Sequence, residues 1–413
     1  MTFETPASER DLAAPEVNPA VNPAVNPALH PVRQVWTTPV RRPGGAAVAL
    51  AIIGIVVACG ALLLVLVYLS TFLGPGALLI CLALALVPLS VILLAVRWID
   101  RWEPEPRPAL WFALLWGAGV SVVSALVFDL GVKLALAAAG AAATGDGTDF
   151  LTGVVQAPIV EETAKGAGIL LLFWAMRRRF DGPVDGVVYA ATIAAGFAFS
   201  ENIQYFGVAM IEGGAETLGF TFLVRGVLSP FAHVMFTACT GIAFGLAARR
   251  RAGGMVGTVL LGLVCAVALH ALWNGAFYLL VGDTNLISYY LLVQVPLFIT
   301  AVVVVVLLRQ QEERITKRRL MEYAAAGWFS TAEVEMLATP QGRRQARGWA
   351  AGQPRDRRAG MNDFITDATR LAFARQRMLN GSAGNVDRAD EAQLLTLVRH
   401  DRAAVVGDAD LAR

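Results

Sequence analysis

Long runs of apolar residues fill the middle of the chain, and short polar segments separate them. A helix needs about 20 residues to cross a bilayer whose hydrocarbon core is about 30 Å thick. Every run reaches that length, so the pattern predicts an all-α, polytopic membrane helical bundle with about eight transmembrane helices. The predicted spans are 46–70, 75–97, 109–140, 150–176, 184–209, 227–248, 255–281 and 285–308.

The polar ends of the chain predict two tails around this membrane domain, which extends from 46 to 308. Residues 1–45 contain three copies of Val-Asn-Pro-Ala, and proline at every fourth position prevents a helix. This segment is therefore predicted to be a disordered, Pro-rich cytoplasmic tail. Residues 309–413 hold 18 Lys and Arg against 14 Asp and Glu, and they predict a cytoplasmic, partly helical basic tail.

Three local features are predicted within the second tail. Ser330 and Glu333 have the spacing of a helix capping box. Residues 364–380 have the pattern of an amphipathic helix that ends at Gly381. The arginines from 343 to 358 predict a solvated basic linker, with contact to anionic lipid as the alternative.

Composition and loop charge agree with the membrane interpretation. The chain is 56% hydrophobic and 16% charged, whereas soluble proteins carry about 25% charged residues. Arginines cluster in every second loop, and the alternate loops contain one basic residue, Arg225. Cytoplasmic loops are enriched in Lys and Arg, so the pattern predicts a multi-pass plasma-membrane protein with both termini in the cytoplasm. The lipid bilayer is then an expected partner and nucleic acid is not, while the oligomeric state is left open. Arg225 is predicted at the outer interface.

Ionisable and amide side chains inside the apolar spans are the candidate functional residues. A charged residue at the centre of a membrane helix costs about 2.5–3.5 kcal/mol on insertion scales, so such residues are expected to pair or to line a wet cavity. With the predicted orientation, most of them lie at one depth, between the bilayer centre and the outer face. They are Glu161, Glu162 and Lys165 in the fourth span, Glu201 and Asn202 in the fifth, His233 in the sixth, and His270 and Asn274 in the seventh.

The chemistry of this set admits more than one function. A buried carboxylate can act as a general base on water, and imidazole or Asn side chains can stabilise an oxyanion. If a metal is present, His233, His270 and Glu201 are the expected ligands and Zn²⁺ is the expected ion. A proton- or ion-coupled transporter is the alternative, because transporters also keep buried carboxylates and histidines. A purely structural polar network is the third interpretation. Outside the set, Asp129 and Lys133 are predicted to form an ion pair.

Several short segments resemble motifs of the PrsW family of bacterial intramembrane proteases. Glu161-Glu162-Thr163-Ala164-Lys165 resembles its EExxK motif, and the segment from Phe197 to Asn202 resembles its FxxxEN motif. The segments around His233 and His270 are similar to its two histidine motifs. The loop from Asp100 to Pro106 and the pair Asp185-Gly186 are similar to its DRxEPEP loop and DG turn.

The resemblance implies an intramembrane endopeptidase that acts on a membrane-anchored protein, such as an anti-sigma factor, and a classification as a metalloprotease. It favours Glu161 as the water-activating base. The spacing of Glu161 and Lys165 suggests instead that an ion pair occupies Glu161 and leaves this role to Glu162. The sequence leaves the choice between the two carboxylates open, and likewise the choice between a metal and a glutamate mechanism.

Overall fold

The structure is a computed structural model, and it describes residues 45–140, 145–177, 179–248, 254–280, 286–379 and 385–406. All regular structure within these ranges is helical, which confirms the all-α prediction. The predicted N-terminal tail lies outside the described residues except for Gly45. The described chain divides into two compact units, and the division falls between Arg309 and Gln310.

The membrane unit contains helices α1 to α9 and the first part of α10. Among the described residues, five helical segments are long and apolar enough to cross a bilayer, and the last of them continues into the second unit: Ala49–Ile99, Arg107–Ala138, Pro183–Ala248, Met255–Ala276 and Ile287–Ala325. The helices are α1 (Gly45–Ile99), α2 (Arg107–Leu115), α3 (Val122–Ala138), α4 (Asp146–Leu151), α5 (Ala157–Ala175), α6 (Pro183–Phe222), α7 (Ala232–Ala248), α8 (Met255–Leu280), α9 (Leu286–Tyr289) and α10 (Val295–Ala325).

Two of the long segments are bent at a glycine. Gly74 in α1 and Gly214 in α6 have φ values of 71° and 67°, a left-handed conformation that residues with a Cβ atom rarely adopt. The Gly74 bend lies between the first two predicted spans, and the Gly214 bend lies after the fifth. The predicted fourth span corresponds to α5, which carries three charged residues. The count of eight spans stays a prediction.

Helix α6 lies at the centre of the membrane unit, packed against α1, α2, α5 and α7. Its residues from Pro183 to Ala198 are all buried. Glycine makes this possible, because a Cβ atom at Gly196 would lie 2.0 Å from the main-chain oxygen of Leu114. Gly186 faces Gly241 of α7 equally closely, since a Cβ atom there would lie 1.9 Å from the Gly241 oxygen. Small residues thus bring the main chains of α6 and its neighbours together.

The second unit, from Gln310 onward, is a folded helical domain. The rest of α10 joins α11 (Thr331–Ala338), α12 (Pro340–Ala351), α13 (Arg355–Arg377) and α14 (Asn385–Val406) around an apolar core that includes Leu337, Phe364 and Leu371. The predicted capping box at Ser330 is confirmed, since Ser330 and Glu333 exchange side-chain to main-chain hydrogen bonds of 2.7 and 3.1 Å.

Two expectations for this segment were wrong in detail. The arginine-rich stretch is not a solvated linker, because it forms α12 and the start of α13. Arg343 is buried and donates hydrogen bonds of 2.6 Å to the Leu337 oxygen and to Thr369. The amphipathic helix begins at Arg355 rather than at 364, and its predicted stop at Gly381 lies outside the described residues.

Candidate active site

Three charged residues of α5 form the base of the candidate site. The helix starts with Pro158 in its first turn, where a missing N–H breaks no helical hydrogen bond. Lys165 follows Glu162 by three residues and Glu161 by four, so its ammonium reaches both carboxylates. The Lys165 Nζ to Glu162 Oε1 distance is 2.9 Å, and the Nζ to Glu161 Oε2 distance is 3.3 Å. All three residues are buried, so the lysine charge compensates carboxylates that are largely withdrawn from solvent.

The two carboxylates have different surroundings. Glu162 is fully buried and has both oxygens engaged: Oε2 accepts a 2.8 Å hydrogen bond from the Thr237 hydroxyl, and Oε1 lies 3.1 Å from Nδ1 of His270. Glu162 therefore holds Lys165 and His270 in position. Glu161 lies farther from the lysine, and its Oε2 is 4.0 Å from Nε2 of His270. Of the two, Glu161 faces the cavity described below.

A second ionic group comes from α6, α7 and the π-helical turn between them at Leu223–Leu228. Glu201 Oε2 lies 2.8 Å from Nε2 of His233 and is paired with Arg225. Arg225 also donates a 2.9 Å hydrogen bond from Nε to Asn202, and its guanidinium stacks on the Tyr205 ring at 3.9 Å. The interfacial position of Arg225 stays a prediction, but the residue also lines the cavity described below and so joins the site. Its isolation among loops otherwise free of basic residues was the available signal.

These groups surround a polar cavity of about 110 Å³. Six of the eight predicted site residues line it, and Glu162 and Lys165 lie behind its wall. Asn274 is fixed by a 2.8 Å hydrogen bond from Nδ2 to the Gly153 oxygen. The rings of His233 and His270 meet edge to face with centroids 5.2 Å apart, and Phe236 stacks on His270 at 4.6 Å. The six predicted site residues that line the cavity are Glu161, Glu201, Asn202, His233, His270 and Asn274.

The donor atoms of Glu161, His233 and His270 lie within 4.8 Å of one another and could hold a metal ion. Two imidazoles and one glutamate form one of the donor sets of catalytic zinc sites. Glu162 holds Nδ1 of His270 and leaves Nε2 for a ligand bond, an arrangement common behind metal-bound histidines. His233 uses both nitrogens, Nε2 at Glu201 and Nδ1 at 3.2 Å from Lys165, so one contact must open on metal binding. Glu161, rather than the predicted Glu201, completes this group.

Comparison with known proteins finds relatives of most of the membrane unit. Residues 105–303 match the family model described as PrsW family intramembrane metalloprotease. The protein named Protease PrsW from Geobacillus kaustophilus (strain HTA426) is 32% identical over 148 residues, which cover 36% of this chain and 58% of the relative. Residues 105–303 are therefore similar to the PrsW family. The Protease PrsW of Clostridioides difficile (strain 630) is 31% identical over 158 residues, 38% of this chain and 62% of that protein. No solved structure matches.

The PrsW match contains every residue of the candidate site but only part of each chain. This chain spans about 58–62% of the length of these two PrsW relatives. The second unit, from Gln310 onward, lies outside the matched range of 105–303.

The loop that resembles the DRxEPEP motif has a structural function at the start of α6. Glu105 is buried there, and its carboxylate accepts a hydrogen bond from the Tyr189 hydroxyl of α6. Burial, with a contribution from nearby Asp185, raises the pKa of Glu105 well above its usual value. Asp185 in turn accepts a 3.0 Å hydrogen bond from the Gly182 main chain at the start of α6. This group of acids anchors the start of α6, the helix that carries Glu201.

Proposed function

We propose that the protein is an intramembrane endopeptidase that hydrolyses a peptide bond of a membrane-anchored protein. The observation that carries the proposal is the small polar cavity at which Glu161, His233 and His270 meet among apolar helices. Such a cavity admits water into a region that the bilayer otherwise keeps dry, and peptide hydrolysis there needs both water and a group that activates it. The PrsW proteases among the relatives and the metalloprotease description of the family support the same activity.

In this proposal Glu161 is the central group under either mechanism. Without a metal, a Glu161 oxygen accepts the proton of the attacking water. With a metal, Glu161, His233 and His270 hold it, and Zn²⁺ is the proposed ion because it prefers nitrogen and oxygen ligands of this kind. A bound Zn²⁺ would polarise the carbonyl and lower the pKa of water. Glu162 and Glu201 orient the two imidazoles, and Lys165 compensates the carboxylates.

The metal question has a direct test. Protein purified in detergent and analysed for metals is expected to contain about one Zn²⁺ per chain, and His270→Ala is expected to lose it. Chelation should stop cleavage of a membrane substrate, and added Zn²⁺ should restore it, because neutral imidazole and carboxylate rebind the ion reversibly. If metal-free protein keeps full activity, the metal mechanism is excluded and the mechanism with Glu161 as the base is supported.

Arg225 is proposed as a positioning residue. Its guanidinium contacts Glu201 and Asn202 together, a geometry that a lysine ammonium cannot reproduce. Arg225→Lys should therefore let Glu201 move and loosen its hold on His233. Loss of a residue that positions a metal ligand typically lowers metal affinity or activity by about 10–100-fold. We expect both quantities to decrease by a factor in that range. Arg177→Lys, at an exposed arginine, is the control. Equal metal affinity and activity for Arg225→Lys and wild type would contradict the assignment.

We further propose that the protein lies in the plasma membrane with both termini in the cytoplasm. The argument is the arginine-rich character of alternate loops. Reporter fusions after residues 145 and 215 should report the external side, and fusions after 103, 181 and 252 the cytoplasmic side. An external signal at 181 would reject this orientation. The substrate is proposed to be a single-pass membrane protein, for which the anti-sigma factor implied by the resemblance is one example.

A further inference from the structure

A second cavity lies beside the candidate active site and differs from it in chemistry. Its volume is about 140 Å³, and most of its lining is apolar, contributed by Val227, Phe231, Met235 and Phe298 among others. Val227 and Phe298 have 54% and 41% of their surface exposed, so the cavity opens to the outside of the helical bundle. The exposed surface around them would face lipid in a membrane protein, which makes the opening a lateral one.

The two cavities share a wall. Ser229, Pro230, Ala232 and Trp273 line both of them. Trp273 contacts Phe236 with ring centroids 5.6 Å apart, and Phe236 stacks on His270 at 4.6 Å. The turn at 229–232 and the indole ring of Trp273 are therefore all that separates the two cavities. A peptide whose reacting bond lies at Glu161 and His270 would place a neighbouring side chain there.

Size and polarity limit what the second cavity can accept. An apolar cavity of about 150 Å³ is large enough to bind benzene, so this one suits a side chain of the size of Leu, Met or Phe. The lining includes one buried amide, that of Gln294, which is hydrogen-bonded to the Tyr289 hydroxyl. Binding pockets are commonly apolar with a few polar groups that fix orientation. A charged side chain would find no opposite charge among these lining residues.

We infer that this apolar cavity is a substrate subsite, which receives a large apolar side chain next to the scissile bond of the membrane-anchored substrate. The inference rests on the proposed peptidase function and adds a specificity to it. Hydrophobic pockets distinguish side chains that differ by one methylene by about 10–200-fold. The subsite therefore predicts a clear preference for Leu, Met or Phe at one position beside the cleaved bond, and rejection of Gly and Asp.

The experiment changes the size of the cavity in both directions. Cleaved bonds are first identified by sequencing new N-termini in cells that make the wild type but not in cells that make Glu161→Gln. One substrate is then varied at the positions flanking the bond, with Gly, Asp, Ala, Leu and Phe. Val295→Trp fills the cavity and should shift the preference at one position toward Ala by at least about tenfold, within the range for apolar pockets. Phe298→Ala enlarges the cavity and should shift the same position toward Phe.

The matched control is Ile299→Trp. Ile299 lies on the same helix four residues beyond Val295, is 55% exposed and does not line the cavity. It should keep the wild-type preference. Opposite shifts in the two cavity variants cannot come from misfolding, because misfolding lowers all rates together. Cleavage with an unchanged preference in both variants would overturn the subsite alone. Absence of any cleavage by the wild type would overturn the proposed function, and the subsite with it.

Photo-crosslinking distinguishes a substrate side chain from a lipid chain as the occupant. A benzophenone amino acid at position 295 in Glu161→Gln protein should form crosslinks to the same substrate peptide that the wild type cleaves, within a few residues of the cleaved bond. The same amino acid at position 299 should crosslink to lipid. Crosslinks to lipid alone at position 295 would show that an acyl chain fills the cavity and would overturn the subsite.

Discussion

Replacing Glu161 by Gln should reduce peptide-bond cleavage by at least about a hundredfold, because a general base contributes about 10²–10⁴-fold to catalysis. The same loss is expected if Glu161 is a metal ligand, since an amide binds Zn²⁺ less well than a carboxylate. Gln keeps the size of Glu and removes a buried charge, so the variant should accumulate normally. The measurement is cleavage of single-pass membrane proteins in cells making either form, with the protein level quantified.

The control for this experiment is Glu216→Gln. Glu216 is an exposed residue of α6 outside the cavity, so its change should leave cleavage at the wild-type rate. Identical substrate profiles for wild type and Glu161→Gln, with equal accumulation, would reject the protease function. If the protein is a transporter, the wild type would cleave nothing, and Glu161→Gln would instead alter pH-dependent transport.

Replacing Lys165 by Met should have the largest effect on stability. Its ammonium is fully buried between Glu161 and Glu162, so the variant leaves two buried carboxylates without their nearest positive charge. Removal of one member of a buried ion pair typically costs about 3–5 kcal/mol. We expect the free energy of unfolding to fall by about this amount, measured by denaturant unfolding of the purified protein. Glu162→Gln in the same chain should recover part of the loss.

The chain contains a close control for the lysine experiment. Lys133 and Asp129 form an ion pair with the same four-residue separation and a distance of 2.8 Å, as predicted from the sequence. Lys133 is 55% exposed and lies five residues before the end of α3 at Ala138, so its long side chain can extend to the aqueous interface, and pairs that water reaches contribute about 0–1 kcal/mol. Lys133→Met should therefore change the free energy of unfolding little. Equal losses for Lys133→Met and Lys165→Met would show that burial does not determine the contribution of these pairs.

The helical bundle and the approximate location of the candidate site could be predicted from the sequence. Apolar runs determine where membrane helices form, and charged residues inside them are costly enough to require partners. Glu161, His233 and His270 lie on three different helices, and their shared predicted depth was sufficient to group them. The type of residue is enough for this prediction, because an unpaired charge inside the bilayer is unfavourable in any membrane protein.

Other features depend on tertiary packing and could not be predicted. Arg225 contacts Glu201 only because the chain turns back through a π-helical segment after Gly214, and no local pattern encodes that path. The different surroundings of Glu161 and Glu162 depend on Thr237 and His270, which come from other helices. Arg343 was predicted to be solvated because its buried partner Thr369 is 26 residues away in sequence.

The contact between Gly186 and Gly241 gives the site a mechanical dependence on distant main chain. Gly186 precedes Glu201 by 15 residues along α6, or about 22 Å at 1.5 Å per residue, and Gly241 follows His233 by about 12 Å along α7. The close contact at this glycine pair therefore sets the distance between the two helices. A single methyl group on either glycine would push the helices apart, and the distance between Glu201 and His233 would increase without any change to either residue.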